Sequence, residues 1–263
     1  MAFIQCNVTS EALGICCAIN VLLPQPKWAL GKPLAAKPVP VLYLLHGLSD
    51  DHTIWHRRTS LEIHAEPYNL AVVMPAVNRS FYTDQLKGYK YETFVAEELP
   101  FIVANLFQIS TRREDSYVAG NSMGGYGAFK LALNYPERFA AAASFSGALD
   151  LVHRAQERTF GEPYRKDEIP DTFGNVDEIA GSKHDLMALV KKHTKAGTQL
   201  PRLYGCCGTE DFLLEDNRRF VACAKENGLP LTYEEGPGWH NWQYWDKLTP
   251  RVLEFFQLQR AVG

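Results

Sequence analysis

The chain is expected to fold as a single α/β domain, a mostly parallel central sheet with helices on both faces. Three features predict this. Apolar, strand-like runs recur at 39–45, 70–75, 139–145 and 200–207, as strands buried on both faces of a parallel sheet require. Stretches of helical pattern separate the runs, which is the alternation of a doubly wound sheet. A glycine-flanked serine, Gly120-Asn121-Ser122-Met123-Gly124, stands between an apolar run and a helix of small residues. The 263 residues are 46% apolar, enough for one sizeable core over 1–263.

Taken in order, 15–23 is apolar and β-rich, and Pro24 and Pro26 close it. Residues 27–40, rich in Pro, Ala and Lys, read as a surface loop. The run 39–45 ends in His46-Gly47-Leu48, where a doubly wound sheet builds its site beyond the carboxyl ends of its strands. A helix is expected over 55–66, a buried strand over 70–75, and a loop over 76–89 carrying Phe81, Tyr82, Thr83 and Asp84. Residues 91–107 read as one long helix kinked at Pro100.

The strand 115–121 enters the serine turn and the helix 123–135 leaves it, with Pro136 as its stop. The spacing has a physical reason. A serine at the apex of a sharp strand-to-helix turn leaves no room for a Cβ two residues away on either side, so glycine stands there. The helix that follows aims its first amides at the same point, where an oxyanion would form.

Beyond the strand 139–145, Ser146-Gly147 caps its end. Residues 151–199 are polar and irregular, with a helix expected near 184–193. They read as a small cap insertion over the site rather than a second domain. The strand 200–207 leads into Gly208-Thr209-Glu210-Asp211. A helix over 212–227 follows, with Gly228 at its C′ position, then the strand 229–235. The loop Gly236-Pro237-Gly238-Trp239-His240-Asn241 opens a final helix ending near 259.

A serine hydroxyl needs a base, and the base needs an orienting acid. Of eight histidines, His240 alone follows the last strand, where the base falls if the chain order is Ser, acid, His. Asp211, at the end of an earlier strand, fits the acid; Asp150, after 139–145, is its rival. The oxyanion hole needs two backbone N–H groups. Met123, after the nucleophile, and Leu48, in the loop after 39–45, are the candidates. The aromatics Trp55, Phe81, Tyr82, Trp239 and Trp242 are candidates for walls of a small acyl pocket.

Composition excludes several other classes. Net charge is −3, with no basic run and no zinc-like Cys/His spacing, so no nucleic-acid partner and no metal is expected. The N-terminus lacks a basic segment followed by a long apolar one, and no apolar run reaches the roughly 18 residues of a spanning helix. No membrane association is expected, and the cytoplasm is the default location. The six cysteines, including the adjacent pairs Cys16-Cys17 and Cys206-Cys207, are expected as buried, reduced thiols, because strand neighbours point to opposite faces.

With these residues in place, the chain resembles the esterase D family of α/β-hydrolases. The matching stretches span nearly its whole length. They are Leu44-Leu45-His46-Gly47-Leu48, Val72-Val73-Met74-Pro75, Phe81-Tyr82-Thr83-Asp84, Glu97-Glu98-Leu99-Pro100, Gly120-Asn121-Ser122-Met123-Gly124-Gly125, Phe173-Gly174, Gly208-Thr209-Glu210-Asp211 and Gly238-Trp239-His240-Asn241-Trp242. The resemblance implies an α/β-hydrolase fold and a Ser122, Asp211, His240 triad with Leu48 and Met123 as oxyanion donors. It also implies hydrolysis of short acyl esters through an acyl-enzyme, with a small-molecule ester as partner and no cofactor. The likeness is stronger to the tributyrin and acetyl esterase branch than to S-formylglutathione hydrolases. Those usually carry His where this chain has Asn121 and Tyr126, and Thr-Cys where it has Ser49-Asp50. S-formylglutathione hydrolysis and acetyl- or feruloyl-carbohydrate hydrolysis remain the alternatives on this scaffold. Small esterases of this kind often self-associate, so a homo-oligomer is an expectation by resemblance.

Overall fold

The computed structural model describes residues 1–25, 38–156 and 168–258. Eight strands form one sheet: β1 (Ala2–Ser10), β2 (Ile15–Leu23), β3 (Val41–Leu45), β4 (Ala71–Pro75), β5 (Ser116–Asn121), β6 (Ala141–Phe145), β7 (Arg202–Gly208) and β8 (Leu231–Gly236). Their order is β1-β2-β4-β3-β5-β6-β7-β8. The six strands from β4 to β8 run parallel, and the β1–β2 hairpin joins antiparallel at β4. Strand order reverses at β3, with β4 on one side and β5 on the other, so a crevice opens at their carboxyl ends.

The described helices are α1 (Ile54–Arg58), α2 (Leu61–Ala65), α3 (Tyr91–Thr93), α4 (Leu99–Phe107), α5 (Met123–Asn134), α6 (Leu151–Gln156), α7 (Glu168–Phe173), α8 (Leu186–Ala196), α9 (Leu214–Glu226) and α10 (Trp242–Phe255). They sort onto the two faces of the sheet by the period-2 alternation of the strands. Val41, Tyr43 and Leu45 of β3 join α4, α5, α8 and α9 in one buried cluster. Leu42 and Leu44 join α1, α2 and α10 in the other. Both faces are covered, as the apolar runs of the central strands require.

The structure corrects several sequence expectations. The strand β1 has no counterpart among them; it is an edge strand with Phe3, Gln5, Asn7 and Thr9 exposed. The single helix expected over 55–66 is two short ones, because the backbone at Ser60 turns aside to donate its N–H to Asp246 Oδ1 at 2.8 Å. The long helix expected over 91–107 is interrupted by a π-helical turn at Phe94–Glu98, directly before Pro100 in the first turn of α4. That turn swings Glu98 toward the β1–β2 hairpin, where its carboxylate accepts from Ser10 Oγ and from the backbone N–H groups of Glu11 (2.6 Å) and Ala12 (3.3 Å).

Within 151–199, α6 and α7 stand beside the one helix that was expected. α8 is a crossover helix between β6 and β7, its Leu186, Leu189 and Val190 buried in the main core. α7 packs on the 76–89 loop, where Glu168 pairs with Arg79 and Leu86 N–H donates to Thr172 O at 3.2 Å, while Arg154 of α6 pairs with Asp216 of α9. Residues 157–167 of the insertion, most of the 27–40 loop and the expected helix end at 259 lie outside the described residues. All six cysteines are free, but Cys16 is exposed and Cys6 half-buried, because the outer hairpin leaves one face to solvent. Among the described residues no helix is long and apolar enough to cross a membrane.

Candidate active site

Ser122 follows β5 with φ 55° and ψ −117°, a conformation that costs a non-glycine residue roughly 1–3 kcal/mol and persists only where the surroundings enforce it. Here they do. Ser122 N–H donates to Phe145 O (2.9 Å), and Ser122 O accepts from the N–H groups of Tyr126 (3.1 Å) and Ala148 (3.2 Å). A Cβ on Gly120 would strike the Gly124 backbone, and one on Gly124 would strike the Leu45 carbonyl. The turn is therefore pressed between β3 and the first turn of α5. Met123 opens α5, so its N–H has no carbonyl within the helix to bond.

Asp211 and His240 lie beyond the carboxyl ends of β7 and β8. The two loops are zipped: Thr209 N–H donates to Gly236 O (2.9 Å), Glu210 N–H to Gly238 O (3.1 Å), and Gly238 N–H to Glu210 Oε2 (2.6 Å). His240 Nδ1 stands 2.8 Å from Asp211 Oδ2 and 3.0 Å from Oδ1. The Asp211 side chain is wholly buried, and its Oδ1 also accepts from Leu213 N–H at 2.8 Å. A carboxylate so placed can only accept, so Nδ1 of His240 carries the proton and Nε2 keeps its lone pair. The imidazole is held edge-on by Trp245 at 4.9 Å between centroids, and Trp245 Nε1 donates to Ser146 Oγ at 3.1 Å. Among the described residues no hydrogen bond joins Ser122 Oγ to His240. Such contacts are often long in a site without substrate and tighten when it binds. The rival Asp150 is engaged elsewhere: it pairs with Arg219 and accepts from His153 N–H at 3.0 Å.

The loop after β3 lies against the serine. A Cβ on Gly47 would sit 3.6 Å from Ser122 Cβ, 3.0 Å from Asn121 Nδ2 and 3.1 Å from Asp50 Oδ2. Burial and the neighbouring Asp51 carboxylate push the Asp50 carboxyl up. Asn121 is buried, and its side-chain amide draws the Asp50 carboxyl back down against that push. His46 is fully enclosed. Val77 N–H donates to its Nε2 at 3.1 Å, so Nδ1 bears the hydrogen and donates to Gly47 O at 2.7 Å. Asp50 N–H gives the same oxygen a second bond at 3.2 Å. In a trans peptide C=O and N–H point opposite ways, so fixing the Gly47 carbonyl fixes the Leu48 N–H.

Burial pushes His46 down to about 4 from its ordinary 6.5, against the pull of the Gly47 hydrogen bond. Between those two values the unfolded chain binds a proton that the folded chain refuses. The stabilisation is complete above pH 6.5 and is lost as pH falls toward 4, by about 3 kcal/mol at most. Urea unfolding at pH 7, 5.5 and 4 is expected to show this fall in wild type and a shallower one in His46→Asn. His184, pushed down to about 3 chiefly by burial, adds a slope common to both proteins. Equal pH slopes in the two proteins would assign the acid sensitivity to other groups.

Three of the aromatics expected to wall a pocket are interior residues. Trp55, Phe81 and Tyr82 are at most 1% exposed. Trp55 Nε1 donates to Leu45 O at 2.9 Å, Phe81 packs on Tyr126 and Phe173, and Tyr82 OH donates to His46 O at 2.9 Å. Their apolar bulk fills the layers beneath the loops instead. Trp242 is half-buried between Trp55 and Trp245, whereas Trp239 is 64% exposed. Phe212, absent from the expectations, is 65% exposed with its ring centroid 4.5 Å from that of His240. Its position next to Asp211 was the one sequence signal for it.

A family model described as "Putative esterase" matches residues 10–255. An acetyl esterase from Caldicellulosiruptor saccharolyticus is 31% identical over 261 residues, covering 97% of this chain and 98% of its own. Among solved structures, the fluorophosphonate-binding serine hydrolase F of Staphylococcus aureus superposes with a TM-score of 0.89 at 34% identity. It covers 97% of this chain and 98% of that one. The S-formylglutathione hydrolase of Staphylococcus aureus gives a TM-score of 0.86 at 34% identity over the same shares.

Proposed function

The chain belongs to this esterase family, with the α/β-hydrolase fold of a serine esterase, and from that premise we propose that Ser122, His240 and Asp211 hydrolyse short-chain acyl esters through an acyl-enzyme. The observation that carries this reading is the buried Asp211–His240 pair beyond the carboxyl ends of β7 and β8, the same end of the parallel sheet as the strained Ser122 turn after β5. His240 Nε2 takes the proton of Ser122 Oγ as that oxygen attacks the ester carbonyl. Asp211 holds the imidazole in the required tautomer and stabilises the imidazolium. The N–H groups of Met123 and Leu48 receive the tetrahedral oxyanion; one such donor is typically worth about 3–4 kcal/mol. His240 then protonates the leaving alkoxide, and a water that it deprotonates releases the acid and frees Ser122.

A second reading, S-formylglutathione hydrolysis, draws support from the Staphylococcus aureus structure. The preference for simple esters draws on the acetyl esterase likeness. It also draws on Asn121 and Tyr126, which stand where the thioester branch usually has histidines. Stopped-flow hydrolysis of p-nitrophenyl acetate, butyrate and octanoate beside S-formylglutathione decides between the two. Expected is a burst stoichiometric with enzyme and a kcat/KM highest for the two short esters. A kcat/KM for S-formylglutathione above every ester would install the thioesterase reading in its place.

A further inference from the structure

We propose that Tyr82 is a positioning residue for the oxyanion peptide, acting through the carbonyl of His46. This rests on the reading that Leu48 supplies an oxyanion donor. The loop His46-Gly47-Leu48 hinges on Gly47, which has the widest torsional freedom of any residue. Two consecutive carbonyls are pinned. Tyr82 OH holds the His46 carbonyl at 2.9 Å, and His46 Nδ1–H holds the Gly47 carbonyl at 2.7 Å. Each clamp fixes one peptide plane on either side of the glycine. With both engaged, the Leu48 N–H stays aimed before any charge develops, which is how a preorganised donor lowers a barrier.

Tyr82 is itself held with unusual firmness. Phe81 and Tyr82 both adopt φ 52°, a left-handed conformation rare for aromatic residues. The Tyr82 ring lies against Gly127 of α5, where any Cβ would collide with it. Its carbonyl accepts from Lys130 Nζ at 2.8 Å, and the same ammonium reaches Thr83 Oγ1 at 2.8 Å and Glu92 Oε2 at 2.7 Å. Lys130 and Glu92 are both buried, and Lys183 gives Glu92 a second cation at 3.0 Å. An ion pair in the interior is costly to form and more costly to break by removing one partner, so it fixes its neighbours tightly. The path from this pair to the Leu48 N–H is continuous: Lys130, the Tyr82 backbone, its hydroxyl, His46, the 47–48 peptide.

Tyr82→Phe deletes the clamp and keeps the ring. A matched control exists in Tyr117→Phe. Tyr117 is buried and donates its hydroxyl to a carbonyl, Glu114 O, at 3.0 Å, but stands at the opposite end of β5 from Ser122 and off this path. With p-nitrophenyl acetate, Tyr82→Phe is expected to lower kcat about tenfold with KM unchanged. The inhibition constant of phenylboronic acid, whose tetrahedral adduct on Ser122 places an oxygen in the same hole, is expected to rise by a similar factor. Tyr117→Phe is expected to keep both values. Equal kcat in wild type and Tyr82→Phe, or an equal loss in the two variants, overturns the proposal. Leu48→Pro separates this from failure of the underlying reading. Full activity in Leu48→Pro would remove Leu48 as a donor; activity lost there but kept in Tyr82→Phe would leave the donor and refute the clamp.

Discussion

Ser122→Ala is expected to reduce kcat for p-nitrophenyl acetate by about 10⁵–10⁶ and to abolish the burst, on the scale of nucleophile removal in other serine hydrolases. The residual rate would come from the oxyanion donors acting on a bound ester attacked by water. The substitution leaves the scaffold intact. Alanine keeps the Cβ, so the φ 55° strain is unchanged, and the three backbone hydrogen bonds of Ser122 do not involve its hydroxyl. The melting temperature is therefore expected to stay within a few degrees of wild type, which makes the kinetic loss a statement about one oxygen atom. Steady-state and single-turnover kinetics alongside calorimetry check both halves. A folded variant within tenfold of the wild-type rate would displace Ser122 as nucleophile.

The parts of this molecule legible in its sequence are those set by local chemistry or by strand-end position. β3 and β4 are buried on both faces, and five residues of unbroken apolar character announce each; β6, equally buried, is apolar but for Ser144. The Ser122 turn is legible because its glycines answer a steric demand two residues away. Asp211 and His240 follow from the chain order of strand ends, and their 2.8 Å approach is the consequence of two zipped loops. What was hidden depends on distant partners. Asp246 breaks the first helix at Ser60 from 186 residues away. Glu98 draws a π-helical turn toward a hairpin 86 to 88 residues upstream. The aromatics near the site were the hardest to place, since Tyr82 beneath a loop and Phe212 at its surface have the same composition signal and differ only in what covers them.

Asp211→Asn is expected to cost about 10⁴ in kcat with KM little changed, the magnitude known for this change in a catalytic triad. The reason lies in hydrogen-bond capacity. Asp211 accepts from His240 Nδ1–H and from Leu213 N–H, and as a carboxylate it can do nothing but accept. An amide has one accepting oxygen. With Oδ1 retained by the Leu213 N–H, the new NH₂ faces Nδ1 and can only donate to it. The imidazole must then carry its proton on Nε2, where the Ser122 hydroxyl needs a lone pair. The ring keeps its place against Trp245 at 4.9 Å, so geometry survives while basicity is pointed the wrong way. Asp150→Asn is the contrasting case. Its carboxylate serves Arg219 and His153 N–H, so that variant is expected to lose stability rather than turnover. If Asp150→Asn and Asp211→Asn lowered kcat alike while both stayed folded, the acid could not be assigned to Asp211, whatever its distance to His240.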